Sequence, residues 1–243
     1  MKMLVRAFGF AVLAVVCISN TTVFAADGGD AIFPIDLKDQ TRVEAIYENL
    51  DRDVNVTSGP KGEGTFEADT IYLRIHTPVG RMASLDIDLG GLNPKAGEFD
   101  YYVGGGIRYL AYDSDPVRVA IFAQLHYSPV EADQSDGKLE YDYVEGEGGV
   151  LFNGKINIQD QLVVMPYIGP VISIVRLDGD ASFTTVGANN QQVTTKVDFD
   201  AEEDTMFGIV FGGTLKMLEN HSVRLEARYF DNWNFSAAAG VAF

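Results

Sequence analysis

The chain has 243 residues and a formal net charge of −17, because 35 acidic side chains outnumber 18 lysines and arginines. A protein this acidic repels phosphate groups, so we expect no nucleic-acid partner. Its length suits a single all-β domain, and its one cysteine excludes a disulfide framework.

Residues 1–25 have the composition of an export signal. A basic start is followed by the apolar stretch Ala7 to Ile18 and then by Val23-Phe24-Ala25, which places Val and Ala at the positions that signal peptidase reads. We therefore expect residues 1–25 to be removed together with Cys17. Residues 26–40 are then expected to form an N-terminal segment on the periplasmic side.

From residue 41 onward, apolar and polar residues alternate with a period of two, which is typical of strands with two different faces. Leu85, Ile87 and Leu89, for example, alternate with two aspartates. No segment in this part has the roughly 18 uninterrupted apolar residues that a transmembrane helix needs. Turn signals divide it into ten strands, over residues 41–54, 66–77, 82–90, 98–112, 117–128, 138–156, 162–177, 202–217, 222–230 and 233–243.

The connections between these strands alternate between short and long, as in barrels with short periplasmic turns and longer external loops. Short turns are predicted near residues 78–81, 113–116, 157–161 and 218–221. Longer polar stretches are predicted near 55–64, 92–97, 129–137 and 178–200, with a tight turn at 231–232. The fold class predicted for residues 41–243 is therefore all-β: a closed, antiparallel, up-and-down transmembrane β-barrel of about ten strands, with eight or twelve strands as alternatives.

Three local features refine this interpretation. A turn centred on Gly80 places Arg74 opposite Asp86 on the second and third strands, where opposite charges are favourable. The alternation changes phase around Tyr143, which predicts a β-bulge there. The seventh strand contains two prolines, each of which removes a donor from the ladder.

Charged residues of the predicted strands fall on one face and apolar residues on the other. We expect the apolar face to meet lipid and the charges to line the lumen, where buried charges need partners. The expected lumen charge network consists of Arg74, Asp86, Asp88, Arg108, Arg118, Glu145, Glu147, Arg224, Glu226 and Arg228. In a barrel of this size such side chains nearly fill the interior, so a lumen plugged by paired charges is the favoured hypothesis. A narrow ion path, with Glu145 and Glu147 setting cation selectivity, is the alternative.

Several aromatic residues fall on outward positions of the predicted strands. Amphipathic rings near strand ends can sit at the level of the lipid headgroups, although aromatics are enriched in any β-sheet. The residues expected there are Tyr101, Tyr109, Tyr127, Tyr141, Tyr229 and Trp233.

Motifs for catalysis or metal binding are nearly absent. None of His76, His126 and His221 has a second ligand at a metal-binding spacing, and each is interpreted as a lumen or turn residue. Residues 104–106 are glycines, but no helix and no Lys-Ser/Thr pair follows them, so they do not form a phosphate loop. We therefore expect no metal, no cofactor and no enzymatic activity. An outer-membrane enzyme acting on lipid is a less favoured alternative, because no polar triad can be assembled at the outer rim.

The export signal, the alternating strands and the final aromatic residue resemble the small outer-membrane β-barrel proteins of Gram-negative bacteria, the OmpA-like and OmpW-like group. In that group the last strand, with its C-terminal aromatic, is the signal for the barrel assembly machinery. The residues of this chain that fit that pattern are Phe235, Ala237, Ala239, Val241 and Phe243. The resemblance implies an outer-membrane location in contact with lipid and lipopolysaccharide, without a periplasmic domain.

The function expected from these features is that of an integral outer-membrane barrel with a structural or narrow porin-like role. A surface binding or adhesion module is the alternative, with the long polar stretch 178–200 as its contact surface, since external loops commonly carry such functions.

Overall fold

The computed structural model describes residues 40–59, 62–95, 97–114, 117–134, 137–159, 162–186, 192–217 and 220–243. The expected export signal and residues 26–39 lie outside the described residues. In the described part of the chain, no helix is long and apolar enough to cross a membrane. The strands are β1 (Arg42–Ser58), β2 (Glu63–Val79), β3 (Ala83–Pro94), β4 (Asp100–Ser114), β5 (Val117–Gln134), β6 (Gly137–Gly154), β7 (Ile156–Gln159), β8 (Leu162–Val186), β9 (Gln192–Glu203), β10 (Phe207–Met217), β11 (His221–Tyr229) and β12 (Trp233–Ala242).

Ten of these strands form a closed antiparallel ring. Each pairs with the next in the order β1-β2-β3-β4-β5-β6-β8-β10-β11-β12, and β12 returns to β1 through the pairs Arg42↔Ala242 to Asn49↔Phe235. The prediction of an all-β, closed antiparallel barrel of about ten strands is confirmed. We call the end of the ring near Arg42 and Ala242 the terminal end, and the opposite end the distal end.

The stretch 178–200, predicted as a long loop, is instead a β-hairpin, so that prediction was wrong. β8 and β9 pair from Arg176↔Glu202 to Val186↔Gln192. β9 also pairs with β1, from Val54↔Glu203 to Ser58↔Asp200, beyond the tip of the β11–β12 hairpin. Its threonines and valines suit an extended ladder, and the neighbouring strands continue far enough to pair with it. The predicted strand 202–217 is correspondingly divided into β9 and β10.

The register between β2 and β3 differs by two residues from the predicted one. Arg74 lies opposite Asp88, and His76 lies opposite Asp86. The difference arises from the turn, which connects the paired residues Val79 and Ala83. It begins at Gly80, whose φ is positive at 72°. A shift of two residues leaves every side chain on its predicted face.

The β-bulge predicted around Tyr143 is absent from the described ladder, and that prediction was wrong. β5 and β6 pair without a register shift from Val117↔Gly154 to Gln134↔Gly137. Tyr143 points into the barrel and stacks on Phe66 of β2 at a centroid distance of 4.8 Å. The apparent change of phase arises because the distal interior is apolar, so aromatic residues there face inward.

One of the two prolines of β8 lies where the ladder with β6 is interrupted. Pro166 and Pro170 lie opposite Gly213 and Ile209 of β10. On the other side, the pairing with β6 stops at Gly149↔Val171 and resumes at Phe152↔Ile168. Pro170 lies inside this interruption, so its missing N–H removes no ladder bond there.

The outside of the ring is apolar along the middle of its strands. Leu125 is 60% exposed and Leu225 64%, and Leu85, Ile87 and Leu89 of β3 are also exposed. Charged side chains of the same strands are buried inside. This polarity is the reverse of that of a water-soluble barrel.

Aromatic side chains cluster on the outside near the distal end. Trp233 contacts Phe211, Tyr229 and Phe235, with ring centroids 5.7, 4.9 and 6.1 Å apart. Tyr101 and Tyr109 are also exposed, as predicted. Tyr141, expected outside, instead packs on the buried cluster inside the barrel, so that expectation was wrong.

Candidate functional site: the buried charges of the interior

Charged residues from most strands of the ring meet inside the barrel because they occupy the alternate positions that face the interior. We call this set the charge network, and all but two of its members, Glu226 and Arg228, are almost fully buried. Its members among the described residues are Arg42, Glu44, Glu48, Arg52, Arg74, His76, Asp86, Asp88, Arg108, His126, Glu145, Glu147, Glu203, Arg224, Glu226 and Arg228.

A bidentate ion pair joins β2 to β3. Arg74 donates from Nε and Nη2 to the two carboxylate oxygens of Asp88, over 2.7 and 2.6 Å. His126 Nε2 lies 2.7 Å from the same carboxylate. Gly104 makes room for this ring, since a Cβ there would lie 2.1 Å from it. The glycines of β4 therefore serve packing, as strand glycines commonly do.

A second chain of contacts lies nearer the terminal end. His76 lies between two carboxylates, with Nδ1 2.6 Å from Asp86 and Nε2 3.2 Å from Glu44. Arg108 donates to Asp86 over 2.9 Å, and Arg224 donates to Glu44 over 3.3 Å.

Arg228 connects opposite walls of the barrel. Its Nη1 donates to Glu48 of β1 over 2.9 Å and to Glu147 of β6 over 3.0 Å. It also donates from Nε to Glu226 over 2.7 Å. Because β11 and β6 are not neighbours in the ring, the contact with Glu147 crosses the lumen.

Arg52 makes a second crossing, nearer the distal end. Its guanidinium contacts Glu145 of β6 at 3.1 Å and Glu203 of β9 at 3.4 Å. The same group lies over the Phe230 ring, 3.9 Å from its centroid. Cation–π contact of this kind suits an arginine removed from water.

An apolar cluster fills the interior beside and beyond these charges. The stacked pair Phe66 and Tyr143 joins β2 to β6 across the lumen. Tyr102 stacks on His126 at 4.9 Å and so joins this cluster to the charge network. Both charged and apolar side chains therefore cross the lumen.

Of the ten residues expected to form the lumen network, all but Arg118 meet in it. Arg118 lies near the terminal end, with its Nε 2.9 Å from Asp113. Besides Glu203 of β9, four charges of the network were not predicted, and all four lie on β1: Arg42, Glu44, Glu48 and Arg52. All four occupy even positions of one alternating strand, so the parity of β1 was the signal that could have revealed them.

Of the residues expected to form the assembly signal, four lie on β12, between β11 and β1, and Phe243 directly follows that strand. Phe235 and Phe243 are exposed at the two ends of that strand. Ala237 and Ala239 face outward opposite Leu225 and Val223 of β11.

Glu203 is the member of the network closest to the distal opening. It lies beyond the tip of the β11–β12 hairpin, where Tyr229 and Trp233 are exposed, and is therefore outside the membrane-spanning part of the ring. The side chain is 5% exposed, and its carboxylate lies 3.4 Å from the Arg52 guanidinium. Burial raises the pKa of Glu203 to about 7, although Arg52 partly opposes the shift.

No family model and no curated protein matches the chain. Among solved structures, it is similar to the outer membrane protease OmpT from Escherichia coli, with 10% identity and a TM-score of 0.46 over 87% of this chain and 97% of that one. It is also similar to the translocator domain of autotransporter NalP from Neisseria meningitidis, with 11% identity and a TM-score of 0.35 over 98% and 95% of the two chains. Neisserial surface protein A gives 11% identity and a TM-score of 0.36 over 84% and 97%.

The class of the protein follows from its own strands. The ring leaves no strand of the barrel wall without a neighbour, its outside is apolar, and its charges are enclosed. These are the properties of an outer-membrane β-barrel.

Removing one partner of the Arg74–Asp88 pair should destabilise the barrel strongly. In Arg74→Leu, Asp88 keeps a buried charge without its bidentate partner, a change that costs about 3–5 kcal/mol. The measurement is chemical unfolding of the refolded protein in lipid vesicles, followed by Trp233 fluorescence. Arg176→Leu is the matched control, because Arg176 pairs with Glu202 on an exposed face. Equal unfolding midpoints for the two variants would contradict a structural role of the buried pair.

Glu203 should make stability decrease as the pH rises. The folded protein holds the proton of Glu203 up to a pKa of about 7, whereas the unfolded chain releases it near 4.5. The contribution of Glu203 is therefore fully present below pH 4.5 and is lost as the pH rises through 7, by at most about 3 kcal/mol. In Glu203→Gln the free energy of unfolding should fall less between about pH 5 and pH 8 than in the parent protein.

The control for this experiment is Glu202→Gln, which changes the neighbouring, more exposed carboxylate of β9. It should keep the pH dependence of the parent protein. An unchanged slope in Glu203→Gln would show that its carboxyl group is not the one that titrates.

Proposed function

We propose that the protein is a sealed integral barrel of the bacterial outer membrane, with a structural role rather than that of a diffusion pore. The terminal end then faces the periplasm and the β8–β9 hairpin faces outward. The apolar outer face and the aromatic cluster around Trp233 support insertion in a membrane. Outer-membrane lipid and lipopolysaccharide are the proposed surroundings, and β12 is the proposed contact with the barrel assembly machinery.

The observation that carries this proposal is the set of contacts across the lumen. Arg228 reaches Glu147, Arg52 reaches Glu145, and Phe66 stacks on Tyr143, each between strands that are not neighbours in the ring. A hydrated ion on its way through would have to separate buried ion pairs, which is costly because each released charge loses its partner.

The same contacts bear on the narrow ion path. Glu145 and Glu147, the residues expected to select cations, each hold an arginine from the opposite wall. They are therefore proposed as part of the seal. We also propose no enzymatic role, because the carboxylates of the charge network and His76 and His126 are enclosed with one another, away from any substrate.

A second candidate function is surface binding through the β8–β9 hairpin. Phe183 and Val193 near its tip are 47% and 52% exposed. Side chains at the tip of the hairpin lie beyond the barrel wall and so do not stabilise it. Exposed apolar side chains are common where proteins associate. The sealed ring would then serve as the anchor of this hairpin.

A sealed barrel should show no single-channel conductance. Purified protein, refolded and shown to be inserted by heat-modifiable migration on gels, should give no discrete current steps in a planar bilayer. The reason is the cost of opening the charge pairs that cross the lumen. A general porin added to the same bilayer is the positive control.

The double variant Glu145→Gln/Glu147→Gln distinguishes the two hypotheses for the lumen. Discrete steps in the parent protein, with a cation selectivity that falls in this variant, would overturn the proposed seal and establish the ion path.

Removing the hairpin should separate binding from barrel integrity. Gly179 and Phe199 face each other in the ladder, so residues 180–198 can be replaced by Asn-Gly, which favours a tight hairpin turn. The shortened protein should keep its heat-modifiable migration, because the pairs of β9 with β1 remain. If the hairpin mediates adhesion, cells displaying the parent protein should sediment as aggregates faster than cells displaying the shortened one. Equal sedimentation would remove the hairpin as an adhesive surface between cells.

A further inference from the structure

A small cavity lies inside the barrel, between the walls formed by β4, β5 and β11. Its volume is about 20 Å³. Three arginines, Arg108, Arg224 and Arg228, contribute to its lining together with Gln124 and Glu226, and apolar side chains complete the wall. A space of this size holds about one water-sized particle.

The only carboxylate among these lining residues is already engaged. Glu226 accepts a hydrogen bond from Arg228 through Oε1 over 2.7 Å and one from Tyr167 through Oε2 over 2.5 Å. Gln124 is fixed in the same way, since its Nε2 donates to Glu147 and its Oε1 accepts from Arg74. These lining groups are therefore largely committed to other partners.

One donor of the lining, by contrast, lacks an acceptor. An arginine carries five N–H groups. Arg224 is 5% exposed, its Nη2 reaches Glu44 only at 3.3 Å, and its Nε is buried without a partner. A buried N–H that lacks an acceptor destabilises the folded state. The cavity thus lies at a place where the wall needs an acceptor.

We propose that this cavity binds a single halide ion, chloride under physiological conditions. A halide accepts hydrogen bonds from several directions and donates none, which matches a wall rich in guanidinium groups. A water molecule would bring two further donors to the same wall. Oxyanions such as phosphate or sulfate have several heavy atoms and exceed a cavity that holds one water-sized particle.

The proposed site is independent of the proposed function, because a halide can be bound there whether or not the lumen conducts. Its consequence is stabilisation of the folded barrel. A ligand that binds the folded state and not the unfolded one raises stability by an amount that grows with its concentration.

Unfolding in chloride and in gluconate at equal ionic strength tests the proposal. Refolded protein in lipid vesicles should unfold at a higher denaturant concentration in sodium chloride, and the difference should saturate as chloride replaces gluconate. Arg224→Gln should remove this difference. Arg176→Gln, which changes an exposed arginine of β8, should preserve it. Identical midpoints of the parent protein in the two salts would overturn the proposal.

Two further measurements keep the test decisive if Arg224→Gln does not refold. Val210→Leu adds one methylene group to the lining, so it fills part of the cavity and should abolish the chloride effect. Val171→Leu is the control: Val171 is a buried neighbour outside the cavity lining, and this variant should retain the chloride effect. Crystals grown in bromide should show an anomalous peak among Arg108, Arg224 and Arg228. An ordered water without anomalous signal at that position would show that the cavity holds no halide.

Discussion

A strand in hydrocarbon cannot leave its backbone N–H and C=O groups unpaired, and the rest of this structure depends on that constraint. The only sheet that satisfies it has no edge, so β12 must return to β1 and β10 must join β8 to β11. Once the ring is closed, each strand has one face toward lipid and one toward an enclosed space. Alternation then places Asp86 and Asp88 of β3 inside, and its outward side chains are Leu85, Ile87 and Leu89.

Enclosure changes what the charged side chains can do. In water an ion pair such as Arg176–Glu202 contributes little, because solvent screens it. Inside the ring, a charge without a partner is costly, so each charged group contributes to stability mainly through the ion pairs that it forms. Arg228 shows the result, since it reaches Glu48, Glu147 and Glu226 on three strands. The same side chains therefore form the ion pairs within the barrel wall and close the lumen.

The distal part of the molecule follows different requirements. β9 lies distal to β10, and it pairs with β1 beyond the tip of the short β11–β12 hairpin. There the interior is lined by Phe66, Tyr143 and their neighbours rather than by charges. Glu203 lies at the boundary between the two regions, where burial raises its pKa to about 7. The barrel wall therefore has a charged interior, whereas the distal part has an apolar one, and the carboxyl group between them has a raised pKa.

The sequence by itself determined the closed antiparallel ring and the face on which each charge of β2, β3 and β11 lies, because period-two alternation is a local property that one strand displays alone. It could not determine the register of β2 and β3, since a shift of two residues leaves Arg74, Asp86 and Asp88 on the same face. Tyr143 and the stretch 178–200 were misassigned because an inward aromatic or a paired hairpin depends on what the opposite or adjacent strand presents. Only the tertiary structure decided which arginine meets which carboxylate, because those partners lie on strands that meet only after the ring has closed.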